Sequence, residues 1–104
     1  MEARTFKGPD GEDLVPKVLK ARELGALRRW LREGLTKGQE IPDEDFWAKS
    51  IVTAAQRTDG TMRFTAADVE AIKDMPGFVV GRMFKAVAQP NGLTDEADEE
   101  IRKN

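Results

Sequence analysis

Turn-forming residues occur at intervals along the sequence and limit how long any of its helices can be. Glycine and proline stop a helix or start one, and asparagine or aspartate beside glycine favours a turn. The segments between these positions carry apolar residues at helical spacing. The sequence therefore predicts a mainly α fold, a small single-domain bundle of about four to five helices. The main turn-forming or helix-ending positions are Gly34, Gly38, Pro42, Asp59-Gly60, Pro76-Gly77 and Pro90-Asn91-Gly92.

Two predicted helices lie before the Asp59-Gly60 turn. The first begins at Leu24, and Arg28, Arg29 and Arg32 flank its apolar stripe. The second runs from Pro42 to about Arg57, and the acidic residues 43–45 lie near the positive end of its dipole. The first stripe consists of Leu24, Leu27, Leu31 and Leu35 with Trp30 beside it, and the second of Phe46, Trp47, Ile51, Val52, Ala54 and Ala55.

Two further helices are predicted after this turn. Thr65 followed by Asp68 resembles a capping box, and the helix that it starts runs to about Met75. Another helix begins at Pro76-Gly77 and ends before Pro90. The apolar face of this last helix comprises Val80, Met83, Phe84 and Val87.

The two ends of the chain carry weaker signals. Residues 1–22 are either irregular or form short strands, because PDGED (9–13) reads as a turn across which Thr5-Phe6 and Val18-Leu19 would pair. The interpretation is one helical domain over residues 1–92, followed by an acidic polar tail at 93–104.

The composition narrows the possible chemistry. The chain has neither cysteine nor histidine, which removes thiolate ligands and the commonest general base. A net charge of -2 gives no general reason to expect nucleic-acid binding. The polar N-terminus does not resemble a signal peptide, and no run is long enough to cross a membrane. We therefore predict a non-enzymatic protein that binds no cofactor and works inside the cell that makes it.

The stretch DGTMRFTAADVEAI (59–72) resembles a calcium loop in outline. With Gly60 at the sixth position of such a loop, Ala55, Arg57 and Ala66 fall where oxygen ligands are required, and only Asp59 supplies a carboxylate. The sequence therefore predicts a joint between two helices and no metal site.

Protein binding is the remaining activity, and tryptophan and arginine are its candidate anchors. Trp30 stands beside three arginines, so core and surface positions are about equally expected for it. For Trp47, beside Phe46, burial is the favoured alternative. The predicted protein-binding residues are Leu27, Arg28, Trp30, Leu31, Arg32 and Trp47.

Three blocks of sequence occur in an order that resembles the tail assembly chaperones of long-tailed bacteriophages. These blocks are LVPKVLKAREL (14–24), TDGTMRFTAADVEAI (58–72) and PNGLTDEADEEIRKN (90–104). The resemblance implies a non-structural protein of the host bacterial cytoplasm, absent from the mature virion. It would keep the tape measure protein soluble and assist polymerisation of the tail tube protein. Self-association is compatible with coating a long partner.

Such chaperones are often also made in a longer, frameshifted form. Lys103-Asn104 can be encoded on a slippery A AAA AAC heptamer, and the gene sequence tests this hypothesis. The alternative function is a small helical DNA-associated or regulatory adaptor of a mobile element. In that case Arg22, Arg28, Arg29 and Arg32 would contact phosphate, and binding would weaken steeply with salt.

Overall fold

The computed structural model describes residues 5–36 and 43–93, and in these ranges it has four α-helices and a three-stranded antiparallel sheet. The mainly α class is therefore confirmed. Residues 37–42, the acidic segment from Thr94 onward and Lys103-Asn104 lie outside the described residues. The helices are α1 (Ala21–Thr36), α2 (Asp43–Ala54), α3 (Val69–Lys73) and α4 (Gly77–Ala88), and the strands are β1 (Phe6–Lys7), β2 (Asp13–Pro16) and β3 (Ala55–Arg57).

The N-terminal hairpin is present, but its second strand differs from the predicted one. β1 pairs with β2, with Phe6 opposite Leu14, so Val18-Leu19 lies beyond the ladder. The turn between the strands is tight: the Gly8 N–H donates to the Glu12 carbonyl at 2.9 Å, and Gly11 has a φ of 80°. A tight turn pairs the residues next to it, and this pairing places Leu14 in the core with no exposed surface.

Strand β3 replaces the predicted last turn of the second helix. The helix was expected to reach Arg57, but α2 ends at Ala54, and the next three residues pair with β2. The Lys17 N–H donates to the Ala54 carbonyl at 2.7 Å, and Gln56 forms a bridge with Met62 across the turn at Gly60. Hydrogen-bonding partners on both sides thus favour an extended backbone over one more helical turn.

Carboxylates shape the starts of α1 and α3. Glu23 accepts the Lys20 N–H at 3.0 Å, and this bond starts α1 at Ala21, three residues before the predicted start. The predicted capping box is confirmed, because Asp68 accepts the Thr65 N–H at 2.8 Å. A 3-10 turn at Ala66–Asp68 then leads into α3.

Helices α2 and α4 form the centre of the bundle. The Phe84 ring meets the Phe46 ring edge-on at 5.5 Å between centroids and lies 6.2 Å from the Trp47 ring. α1 lies at the side and contributes Leu27, which is 4% exposed. The buried apolar core consists of Leu14, Leu19, Leu27, Ala48, Ile51, Ala54, Ala55, Phe64, Ile72, Val80, Met83, Val87, Ala88 and Leu93.

Arg63 ties the hairpin to the segment after β3. Its guanidinium forms ion pairs with Glu12 and, at 3.1 Å, with Asp10, both in the β1–β2 turn. The same group lies 4.6 Å from the centroid of the Phe64 ring. These carboxylates, Glu12 first, raise the pKa of Arg63. One cation therefore fixes the sheet against the joint between α2 and α3.

Candidate protein-docking groove

An open groove of about 300 Å³ runs between α1 and α2. Trp30 and Leu27 line it from α1, one helical turn apart. Lys49 and Thr53 line it from α2, and they are also one turn apart. Ala26 adds an exposed methyl group beside Trp30, and Glu23 completes the lining at the start of α1. A volume of this size is at the lower limit for a cofactor cavity and suits apolar side chains of a partner.

Two polar side chains of the groove lining, Glu23 and Thr53, form hydrogen bonds within the chain. Glu23 pairs with the Lys17 ammonium at 2.7 Å and also accepts the Lys20 N–H. The hydrogen bond from Lys17 and then the bond from Lys20 lower the pKa of Glu23, so its carboxylate stays ionised at neutral pH. The Thr53 hydroxyl donates to the Lys49 carbonyl at 2.7 Å. Among the described residues, the Lys49 ammonium contacts the Trp30 ring and keeps its N–H donors for an incoming acceptor.

Trp30 gives the groove its largest apolar surface. The side chain is partly buried and packs against the core cluster. The Lys49 ammonium lies 5.5 Å from the centroid of its ring, within the range of a cation–π contact. This contact holds the indole between the two helices. The groove thus combines a positioned aromatic ring with neighbouring methyl groups, a combination typical of binding anchors.

The structure brings together two of the six predicted binding residues. Leu27 and Trp30 both line the groove. Leu27, however, is 4% exposed and belongs to the core, so it supports the groove floor and is not a surface anchor. Its position follows from the periodicity that also buries Leu24 in part.

The other four predicted residues lie elsewhere. Trp47 packs beside Phe84, on the side of α2 that faces α4. Leu31 is partly buried and lies outside the apolar core cluster of the described residues. Arg28 donates to the Gly92 carbonyl at 3.4 Å, and Arg32 is exposed. None of these four residues lines the groove beside Trp30.

Sequence reasoning missed Glu23, Ala26, Lys49 and Thr53. The spacing of Lys49 and Thr53 places them on one face of α2, but a polar pair on a helix normally indicates a solvated face. Their role depends on α1 lying beside that face. No periodicity within a single helix predicts such a pairing.

The loop that resembled a calcium site is closed by its own residues. Asp59 accepts the Thr61 hydroxyl at 2.6 Å and the Thr61 N–H at 2.9 Å, and these two bonds lower its pKa. Gly60 provides the positive φ of 91° that the turn requires. In the described part of the chain, no three carboxylates converge to hold a metal ion.

Among residues 5–36 and 43–93, none of the helices combines the length and apolar character needed to cross a bilayer. Comparisons with protein-family models, with curated proteins and with solved structures found no match.

Proposed function

We propose that this chain is a phage tail assembly chaperone whose α1–α2 groove binds an apolar helix of the tape measure protein. The observation that carries the proposal is the apolar groove beside Trp30, in which the Glu23 and Thr53 side chains are already hydrogen-bonded within the chain and the Lys49 ammonium lies against the indole ring. Such a groove favours aliphatic and aromatic side chains over polar or ionic groups. An amphipathic helix presents side chains of this kind at positions i, i+3 and i+4.

The proposed mechanism is coverage of apolar surface. A long helical protein that waits to be assembled exposes an apolar stripe, which promotes aggregation. Docking of this stripe over Trp30 removes it from water until tube assembly displaces the chaperone. The binding is therefore non-enzymatic and reversible. The proposal places this work in the host bacterial cytoplasm, with tail tube protein as a second partner.

The proposal expects a long helical tape measure protein to be encoded beside this gene, and co-expression with that protein tests it. We expect the partner to remain soluble with the native chain and to precipitate with Trp30→Ala. Trp30 is only partly buried, so this variant should fold at a cost of roughly 1–2 kcal/mol, below that of truncating a fully buried ring. Val18→Ser is the matched control, because Val18 is 71% exposed and does not line the groove. Equal solubility of the partner with and without the chain would refute the proposal.

Tryptophan fluorescence locates the contact. In a Trp47→Phe background, emission reports on Trp30 alone, and we expect a shift to shorter wavelength when the partner helix covers the indole. An unchanged spectrum in a stable complex would place the contact elsewhere on the chain.

DNA-associated binding is a second candidate, favoured by one observation. Arg22, Arg29 and Arg32 are all exposed, and their spacing places them on the outer face of α1, opposite the apolar stripe. This function would be supported if the chain binds duplex DNA with an affinity that falls steeply as salt rises. The Arg22→Glu/Arg29→Glu variant should then lose this binding. Binding to a helical protein that tolerates salt would support the chaperone.

A further inference from the structure

Phe78 is the one aromatic side chain of this chain that the fold does not use. The chain has five phenylalanines, two tryptophans and no tyrosine, and all seven aromatic residues fall in the described ranges. Six are buried in the core or pack against it, whereas Phe78 is 76% exposed in the first turn of α4. An exposed ring of this size adds nothing to the core and is a common feature of binding surfaces.

Two basic side chains share the outer face of α4 with Phe78. Arg82 and Lys85 follow it by four and seven residues, which is helical spacing, and both are exposed. The sequence of α4 contains no acidic residue. Within residues 5–36 and 43–93, neither cation forms an ion pair, whereas Lys7, Lys17, Arg63 and Lys73 all do. The face is therefore locally basic on a chain whose net charge is -2.

Two glycines make the same side of α4 accessible to another backbone. Methyl groups built at Gly77 and Gly81 would meet nothing within 4 Å, so the fold itself does not require glycine there. Gly81 lies inside the helix, where glycine costs roughly 0.5–1 kcal/mol relative to alanine. A partner that approaches closely beside Phe78 would use this open space.

We propose that the α4 outer face, formed by Gly77, Phe78, Gly81, Arg82 and Lys85, binds an acidic segment of another protein that carries an apolar side chain. The apolar side chain packs on the Phe78 ring, and carboxylates on either side of it pair with Arg82 and Lys85. Aromatic and arginine side chains are enriched at protein interfaces, which matches this face. The site shares no residue with the α1–α2 groove and does not depend on the proposed chaperone function.

The size of the face favours a protein segment over other anionic partners. Duplex DNA is held by roughly six to ten phosphate contacts, and this face offers two cations. An anionic membrane surface requires a broad apolar helix face, and α4 exposes one aromatic ring. A short acidic segment needs only one apolar anchor with charges beside it.

An NMR titration of the isotope-labelled chain tests the proposal. The probe is a synthetic peptide of glutamates with leucine at its third and sixth positions, and the comparison peptide has serine in place of both leucines. We expect amide shifts confined to the α4 outer face with the leucine peptide. The serine peptide should bind at least about tenfold more weakly.

Substitutions on this face separate the contribution of the Phe78 ring to peptide binding from that of the two cations. Phe78→Ser and Arg82→Glu/Lys85→Glu should each weaken binding of the leucine peptide by about tenfold or more. Val18→Ser and Arg22→Glu/Arg29→Glu are matched controls on other surfaces and should leave binding unchanged. Trp30→Ala should also leave it unchanged, which distinguishes this face from the groove. Gly81→Ala should raise the unfolding temperature of the chain and yet weaken binding of the leucine peptide severalfold.

The proposal is overturned by any of three results. The first is the absence of shifts at millimolar peptide. The second is a set of shifts on α1 that the Arg22→Glu/Arg29→Glu variant removes. The third is binding of duplex DNA, or of vesicles containing phosphatidylglycerol, that is tighter than peptide binding and is lost in Phe78→Ser.

Discussion

Asn91 shows how a residue that resembles a simple helix stop can join two distant segments. Its side-chain oxygen accepts the Leu19 N–H at 2.8 Å, and its amide nitrogen donates to the Lys17 and Val87 carbonyls at 2.9 Å each. The side chain is 8% exposed, and these bonds span 72 and 74 residues to the segment before α1. The sequence indicated a turn at Asn91-Gly92, and Gly92 does adopt a left-handed φ of 67°. No local sequence pattern predicts the hydrogen bonds from Asn91 to Lys17 and Leu19.

Asn91→Ala should destabilise the fold by about 3 kcal/mol, because it leaves a buried N–H and two carbonyls without their partner. Urea denaturation followed by circular dichroism measures the change. Gln89→Ala is the control, since Gln89 is exposed in the same 3-10 turn and should change stability by less than about 0.5 kcal/mol. If the two substitutions change the free energy of unfolding equally, the side-chain hydrogen bonds of Asn91 contribute nothing to stability.

At the scale of single elements, α1 depends on the Glu23 carboxylate at its first turn. The bond to Lys17 and then the bond to the Lys20 N–H lower the pKa of Glu23 from its ordinary value of 4.5. As the pH falls, the unfolded chain takes up a proton at this group before the folded chain does. The stabilisation is therefore present above pH 4.5 and is lost as the pH falls through the lowered pKa of the folded state.

Glu23→Gln should therefore lower stability at neutral pH and reduce its decline on acidification. Urea midpoints measured from pH 7 downward should show the native chain and the variant converging as the pH falls through the lowered pKa of Glu23 in the folded state. Glu33→Gln, exposed on the same helix, is the control and should follow the native chain. If the urea midpoints of the native chain and Glu23→Gln differ by the same amount at neutral and acidic pH, the ionised Glu23 carboxylate is not the source of the stabilisation.

The helices were largely predictable because each carries its own signal. The stripe Val80, Met83 and Val87 and the Thr65–Asp68 box are local features, and the structure confirms both. Strand β3 was not predictable, because Ala55–Arg57 continues a helical pattern and becomes extended only through pairing with β2, about 40 residues earlier in the chain. Trp30 was identified as a candidate anchor from its residue type. The groove beside it could not be predicted, since it depends on how α1 and α2 pack.

At the scale of the whole molecule, the buried side chains are unevenly distributed among the helices. α2 buries Ala48, Ser50, Ile51 and Ala54, and α4 buries Val80, Met83, Val87 and Ala88. Among the side chains that the structure describes on α1, Leu27 alone is buried to this extent. Helices with few buried contacts open at lower free energy than the rest of a fold. α1 should therefore separate from the bundle before α2 and α4 do.

Native-state hydrogen exchange should show this order directly. We expect the α1 amides to exchange with an opening free energy about 1–2 kcal/mol below that of α2 and α4, because the described apolar side chains that α1 packs against the core are Leu27 and the partly buried Leu24 and Trp30. Leu27→Ala should accelerate exchange in α1 first, whereas Val87→Ala should lower protection throughout. A single opening free energy for all helices would contradict this order. If α1 opens alone, the groove can widen to accept a partner helix while α2 and α4 hold the rest of the fold in place.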